Sequence, residues 1–360
     1  MKATENRTAI ILRFIHRHFI WMIVSSYIVG AMMPGFGLWI RNVSIGGAGI
    51  LQGKLVFPLP LLMLAALLFN AGLGVKTEEL TRLLQKPFVL LGGLLCNLMI
   101  PLAFIVAVSF LMHLWHDNQE EVQQILVGLA LVASMPIAGA STAWSQNSNG
   151  SLALSLGLVL STTALSPLLT PFVLHMAGFV TTGDYSEDLH ALASGKAASF
   201  LGTWVILPTL LGILARMLAG ETLVTRAMSY LKLINYCVLL LLNYSNASLT
   251  LPNVVSQPDM NFLAVMLSIV IALCVSAFSS GYLLARFSRV SNSETVSLMF
   301  GLGMNNNGTG LVLASVALAD HPQVMLPIIF YNLAQHLVAS IVDLALFKSQ
   351  SPKPPVPASV

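Results

Sequence analysis

Apolar residues run along this chain in stretches of about twenty, parted by short polar segments. Wound as a helix, such a stretch matches the hydrocarbon thickness of a bilayer. Ten stretches fit, near residues 19–40, 56–75, 87–112, 125–145, 151–180, 197–218, 228–250, 261–285, 294–318 and 324–347. The pattern predicts an all-α integral membrane protein with ten transmembrane helices.

Two of these stretches are interrupted. The ninth contains "GLGMNNNGTGLVLAS", residues 301–315, where glycines and three asparagines stand in place of helix-forming apolar residues. The fourth reads "ASMPIAGASTAWSQNSNG", residues 133–150. There Pro136 removes a backbone donor and Gly139 weakens the helix. Broken backbone facing lipid is not viable, because each unsatisfied peptide group costs several kcal/mol. Both breaks must therefore be buried in protein or line a wet cavity. Freed carbonyls and neutral side-chain oxygens there suit a cation, and half-helix N-termini suit an anion.

The longest connection, "TTGDYSEDLHALASGKAA" at 181–198, is polar and acidic and divides the stretches five and five. With an odd number in each half, the second half enters from the opposite side. Corresponding fourth spans are then interrupted in both halves, a pattern that points to the binding site of a transporter built on inverted repeats. The expected organisation is a segment 1–18, a five-helix repeat 19–180, an external linker 181–196, a second repeat 197–347 and a tail 348–360.

Charge gives orientation. With the N-terminus inside, 14 of the 17 Lys and Arg residues fall in cytoplasmic segments. Only Arg41, Lys54 and Lys196 fall outside. This is a strong positive-inside signal and places both termini in the cytoplasm. The basic lead before the first span argues against a cleavable signal peptide. Within it, "RTAIILRFIHRHF" reads equally as a short interfacial helix or a solvated lead-in.

Composition narrows the function. The chain is 56% hydrophobic and only 9% charged, with net charge +3 and mean hydropathy +0.82. It cannot cover a globular surface with charge, so lipid is its main partner. No basic run with interleaved aromatics suggests nucleic acid. Cys96, Cys237 and Cys274 lie in apolar stretches, read as small buried hydrophobes with neither disulfide nor metal. No Arg or Lys is expected inside the membrane to mark an anion. His336, in "FYNLAQHLVAS", is the one ionisable group near mid-span, with a structural role and a proton- or ligand-handling role both open. No zinc-protease or serine-hydrolase motif and no pair of intramembrane aspartates supports an enzyme. The tail "KSQSPKPPVPASV" is too short for a signalling domain.

At the two interruptions the chain resembles the bile acid:sodium symporter family. "PIAGASTAWSQNSNGSLALSLGLVLSTTALSPLLTP", residues 136–171, is similar to that family's fourth and fifth helices, and "GLGMNNNG", residues 301–308, to its second crossover. "LFNAGLGVKTEEL" at 68–80 and "FYNLAQHLVAS" at 330–340 are weaker echoes. The resemblance implies panel and core domains, with helices four and nine unwound where they cross. It implies transport of a small organic anion, bile-acid-like or a small carboxylate, by alternating access in a bacterial inner membrane. A sodium-independent or proton-coupled carrier on the same fold is the alternative.

Carried over position by position, the resemblance puts Ser141, Thr142, Ser155, Gly301, Met304 and Asn305 at the cation sites. It puts Gly139, Asn306, Tyr331, Asn332 and His336 at the substrate, with Tyr331 equally open to a core role. A further family glutamine falls at Cys96 or Asn97. Three departures stand out. Thr142 replaces an asparagine, Val159 replaces a threonine, and Gly301 stands where the family has a glutamate bridging two sodium sites. Sodium is the one cofactor the resemblance implies. Neutral oxygens alone leave either one weakly held ion or none, and Gly301→Glu is expected to restore binding in part if the neighbouring packing admits it.

The topology is testable by labelling. Cysteine introduced at Ser186 is expected to react with an impermeant reagent in intact cells, and cysteine at Thr81 is not. The reverse pattern contradicts the orientation.

Overall fold

The computed structural model describes residues 2–47, 55–75, 87–115 and 118–347. Lys54, Lys76, Arg82, Lys86 and the tail with Lys348 and Lys353 lie outside the described residues. In chain order the helices are α1 (Lys2–Met32), α2 (Gly35–Asn42), α3 (Leu59–Gly74), α4 (Pro87–Trp115), α5 (Gln119–Ser134), α6 (Ala140–Asn147) and α7 (Leu152–Gly178). Then come α8 (Asp184–Ala219), α9 (Glu221–Ser256), α10 (Met260–Ser288), α11 (Asn292–Gly303), α12 (Asn307–Ala317) and α13 (Met325–Val342). Among the described residues six helices are long and apolar enough to cross a membrane, and seven if α1 and α2 count as one bent span. This is an all-α membrane protein in the main. A short antiparallel hairpin, β1 (Ser44–Gly47) with β2 (Leu55–Pro58), pairs Ser44 with Pro58 and joins α2 to α3.

Local chemistry sets the helix starts. Asn118, Ser151 and Asp259 each accept a hydrogen bond from a first-turn N–H of α5, α7 and α10. Ser291 and Glu294 form a reciprocal capping box at α11. These residues satisfy donors that a helix end would otherwise leave bare.

Four expectations change. The N-terminal lead is neither a separate interfacial helix nor a loop, because α1 runs from Lys2 into the first span without a break. The first span bends by 91° between His18–Met32 and Gly35–Asn42, at a turn containing Pro34. The region 181–196 is helical from Asp184 onward, with Gly183 at φ 61° making the turn and Asp184 and Glu187 in the first helical turn. Acidic groups there complement the helix dipole, so a polar, acidic segment favours a helix start here. Of the three cysteines only Cys274 is buried; Cys96 is half-buried and Cys237 exposed. Apolar residues on a membrane helix face lipid as readily as protein.

The helices sort into two packed groups. One holds α1, α2, α3, α9 and the second half of α8; the other holds α4, α5, α6, α7, α10, α11 and α13. In the first group a Cβ on Gly72 would strike the Thr209 carbonyl, and one on Gly212 the Phe69 carbonyl. Both positions must be glycine for α3 and α8 to touch backbone to backbone. Helix α12 packs on α13 of the second group and also on α3 and α9 of the first.

The interruptions meet. The chain leaves helix after Ser134 and re-enters at Ala140; it leaves again after Gly303 and re-enters at Asn307. Ile137 and Asn305 form an antiparallel bridge. Ala138 N–H donates to the Met304 carbonyl at 2.8 Å, and Asn306 N–H donates to the Pro136 carbonyl at 2.9 Å. Each break thus supplies donors and acceptors to the other. The remaining groups are met from neighbouring helices. Thr162 on α7 accepts from Ile137 N–H at 3.1 Å, Thr170 donates to the Ser134 carbonyl at 2.5 Å, and Gln335 on α13 accepts from Asn305 N–H at 3.1 Å.

Thr162→Val keeps the shape and leaves the buried Ile137 N–H without its acceptor. It is expected to destabilise the protein by about 1–3 kcal/mol. Thr163→Val removes only a bond to the carbonyl of Val159 on the same helix and is expected to cost much less. Unfolding of both variants in detergent micelles checks this; equal losses would contradict it.

Candidate functional site

The crossover carries a concentration of buried polar side chains in an apolar surround. Four of their atoms have no hydrogen-bond partner among the described residues: Ser141 Oγ, Asn305 Oδ1, Asn307 Oδ1 and Thr309 Oγ1. All four are oxygens. A buried oxygen left unpaired costs about 1–3 kcal/mol, and hard oxygens are what a cation such as Na⁺ seeks.

The proposed cation residues divide. Ser155 Oγ donates to Thr142 Oγ1 at 3.1 Å, so these two are brought together across α6 and α7. Ser141 is fully buried in the first turn of α6, its N–H bonded to the Ala138 carbonyl. Asn305 is held at three points: its N–H goes to Gln335, its amide nitrogen donates to the Val132 carbonyl at 2.9 Å, and its backbone bridges Ile137. Its amide oxygen is the group left over. Met304 is fully buried and contributes its carbonyl to Ala138.

Gly301 sits in different company. A Cβ built there would lie 3.0 Å from Leu158 Cδ1. Leu158 belongs to an apolar cluster with Ile137, Leu154, Leu298 and Leu302, against which Cys96 and Val159 pack. Leucine carbon stands beside the position of the bridging glutamate, so Gly301→Glu must displace Leu158 before it can serve a cation. The alternative between Cys96 and Asn97 on α4 also separates here. Asn97 lines a small cleft with Pro136, Thr162 and Ser166 beside the break, whereas Cys96 packs into the Leu158 cluster.

The proposed substrate residues divide as well. Gly139 and Ala140 are exposed at the start of α6, and Gly139 makes no side-chain cap. No side chain caps this start; Ser141 N–H and Thr142 N–H bond to the carbonyls of Ala138 and Gly139, and the positive end of the helix dipole lies there. Asn306 is half-buried and caps α12, its Oδ1 accepting from Thr309 N–H at 3.3 Å. Tyr331 lies in the core: it is 1% exposed and its hydroxyl donates to the Gly303 carbonyl at 3.4 Å. It supports the end of α11 rather than facing a cavity, because the broken helix leaves that carbonyl in need of a donor. His336 is buried; Trp144 Nε1 on α6 donates to its Nδ1 at 3.4 Å, and Phe19 of α1 packs edge-on at 5.9 Å.

Asn332 opens a chain of bonds that the sequence did not suggest. Its amide nitrogen donates to the Tyr27 hydroxyl of α1 at 2.8 Å, and its oxygen accepts from Gln335 at 3.3 Å. Gln335 Oε1 in turn accepts from Asn305 N–H and from the Asn307 amide at 3.0 Å. Tyr27, Asn332, Gln335 and Asn305 thus connect the first helix group to the crossover. Gln335 was visible as the position one turn beyond Tyr331 and Asn332, but only the fold shows its two acceptor bonds.

A second polar face also escaped the hydropathy reading. On α9 the run "NYSNAS", 243–248, is buried throughout inside a long span. Asn243 is unpartnered at both amide atoms, and Asn246 at its nitrogen, among the described residues. Arg41, expected in an external loop, is only partly exposed, with Nη1 donating to Asn246 Oδ1 at 3.0 Å and Nη2 to the Ser315 carbonyl at 3.2 Å. The bend before α2 carries it against α9 and the end of α12. Arg41 thus packs against two helices although it follows the first apolar run.

The chain is 21% identical over 334 residues to the Bacillus subtilis (strain 168) protein named uncharacterized sodium-dependent transporter YocS, covering 92% of each chain. It is 25% identical over 221 residues to the protein YbaS of the same organism, covering 61% of this chain and 68% of that one. It is 24% identical over 300 residues to a rice (Oryza sativa subsp. japonica) protein named probable sodium/metabolite cotransporter BASS2, chloroplastic, covering 82% of this chain and 62% of that one. Residues 61–257 match the sodium bile acid symporter family as a whole, and with more than half of its length matched the chain belongs to that family of multi-pass membrane transport proteins.

Proposed function

We propose that the protein is a secondary transporter of a small organic anion, bile-acid-like or a small carboxylate, working by alternating access at the crossover. The observation that carries this reading is the Ile137–Asn305 bridge between two broken helices, with four buried oxygens on the re-entering segments that have no partner among the described residues. In this reading ten spans form two inverted five-helix repeats, residues 19–180 and 197–347. The first packed group is a stationary panel and the second a moving core. Both termini lie in the cytoplasm of a bacterial cell, and 181–196 lies outside. The uncapped start of α6, at Gly139 and Ala140, together with Asn306, receives the anion. Tyr331 is not needed for contact.

Sodium coupling is weak in this reading. YocS and the rice protein carry sodium in their names, and Ser141, Thr142, Ser155, Met304 and Asn305 offer oxygens for one ion. What the site lacks is a negative charge. At an effective dielectric of about 20, a carboxylate about 4 Å from a cation is worth on the order of 4 kcal/mol before its desolvation cost. Even half of that exceeds a tenfold change in affinity. Leu158 at Gly301 supports the same conclusion, because an apolar wall replaces the second site.

A proton-coupled carrier is the second reading, favoured by one contact. Trp144 donates to His336 Nδ1, which requires that nitrogen to be unprotonated. Protonation would cut the link between α6 and α13.

Uptake of cholate and of pyruvate into proteoliposomes tests the proposal. Wild type is expected to accumulate one of them, Asn306→Ala to abolish uptake while still folding, and Asn292→Ala, beside the cap of α11, to change it little. Replacing Na⁺ by choline is expected to lower the rate only a few-fold. Equal effects of the two Asn variants, or no carboxylate uptake, would overturn the reading.

A further inference from the structure

We infer that Arg41, with Asn243 and Asn246, forms an anion-recognition site on the outer side of the transport path, where the guanidinium receives the substrate's carboxylate. The inference rests on the organic-anion reading above and adds an outer recognition step, separate from the crossover residues Gly139, Ala140 and Asn306 that receive the anion there.

Arg41 is a partly buried guanidinium whose hydrogen-bond acceptors, among the described residues, are both neutral: the Asn246 amide oxygen and the Ser315 carbonyl. The intervening chain 43–58 contains no Asp or Glu. A cation removed from water needs compensation, and among the described residues its acceptors are the Asn246 amide oxygen and the negative end of α12, to which Ser315 belongs in the last turn. Five fork-like donors directed at two neutral oxygens leave capacity for a bidentate carboxylate.

The second observation is on α9. Asn243 and Asn246 lie three residues apart and so share a face, and they are 1% and 0% exposed. Three of their four amide atoms find no partner among the described residues: both of Asn243 and the nitrogen of Asn246. Such amides are costly unless some state of the protein uses them. A carboxylate held by Arg41 would accept from the amide nitrogens.

Position completes the argument. Arg41 and the asparagines belong to the first helix group, whereas Ser315 belongs to α12, which packs on both. Thr250, one turn beyond Asn246, donates to the Pro322 carbonyl at 3.1 Å, also across the groups. The two groups are thus closed on each other along this face. If α12 withdraws, Arg41 loses Ser315 and keeps its bond to Asn246 beside Asn243. The same arginine then exchanges a neutral carbonyl for the substrate's charge.

The test compares a carboxylate with its uncharged amide. Uptake of labelled cholate into proteoliposomes is measured with external cholate or cholamide as competitor, for wild type, Arg41→Gln, Arg41→Lys and Asn243→Ala. Wild type is expected to prefer the carboxylate strongly. Arg41→Gln is expected to raise the external KM about tenfold or more and to lose the preference for the carboxylate. Arg41→Lys is expected to regain part of it, and Asn243→Ala to raise KM while keeping the charge preference. If Arg41→Gln lowers only the maximal rate and keeps the wild-type preference, Arg41 is a structural link and the inference fails alone. If wild type accumulates pyruvate instead of cholate, the same comparison is made with pyruvate and its amide; if it accumulates neither, or does not prefer the carboxylate over the amide, the organic-anion reading fails and the inference with it. Should Arg41→Gln not fold, the Arg41→Lys and Asn243→Ala profiles decide: unchanged KM in both overturns the site.

Discussion

A peptide group inside a membrane protein has no bulk water in reserve, so every residue taken out of helix must find its partners in the fold. The crossover answers this constraint reciprocally. Pro136 and Ala138 on one broken span bond to Met304 and Asn306 on the other. Thr162, Gln335 and Tyr331 take the groups that remain. Neither interruption is viable alone, which is why they occur as a pair. The surplus left after this matching is a set of side-chain oxygens, and that surplus is what makes the region a candidate for ion and substrate.

The same network makes the crossover sensitive to its neighbours. Gln335 contacts both Asn305 and Asn307 and is itself tied through Asn332 to Tyr27 on α1. A shift of the first helix group relative to the second would act on the Tyr27 contact first. In the proposed cycle this is a direct route by which movement of the groups reaches the residues around the ion, without any change inside the helices.

Much of this was legible in the chain. Helix-breaking residues deep within apolar stretches announced the two interruptions, because Pro136 and the run 303–308 have no other sensible use there. Their supporting partners were not legible. Thr162 is one threonine among several on an apolar helix, and its meaning depends on Ile137 lying opposite. The contacts of Arg41 were hidden for a similar reason. Hydropathy assigns a residue to a loop by its position after an apolar run and cannot see a 91° bend that returns it to the helices. The region after Gly183 was read as a polar connection, and its helical form follows from Asp184 and Glu187 in a first helical turn, which polarity alone does not show. The polar face at 243–248 was diluted by the apolar residues of its span.

Charge is where this chain parts from a strongly sodium-coupled design. In the proposed site the oxygens at Ser141, Thr142, Ser155 and Asn305 would hold an ion, yet no carboxylate stands at position 301, where leucine carbon lies beside the glycine. Isothermal titration of the purified wild-type protein with Na⁺ tests this most directly. The account predicts no resolvable heat, or one site of millimolar affinity. Two well-resolved sites of micromolar affinity would contradict it.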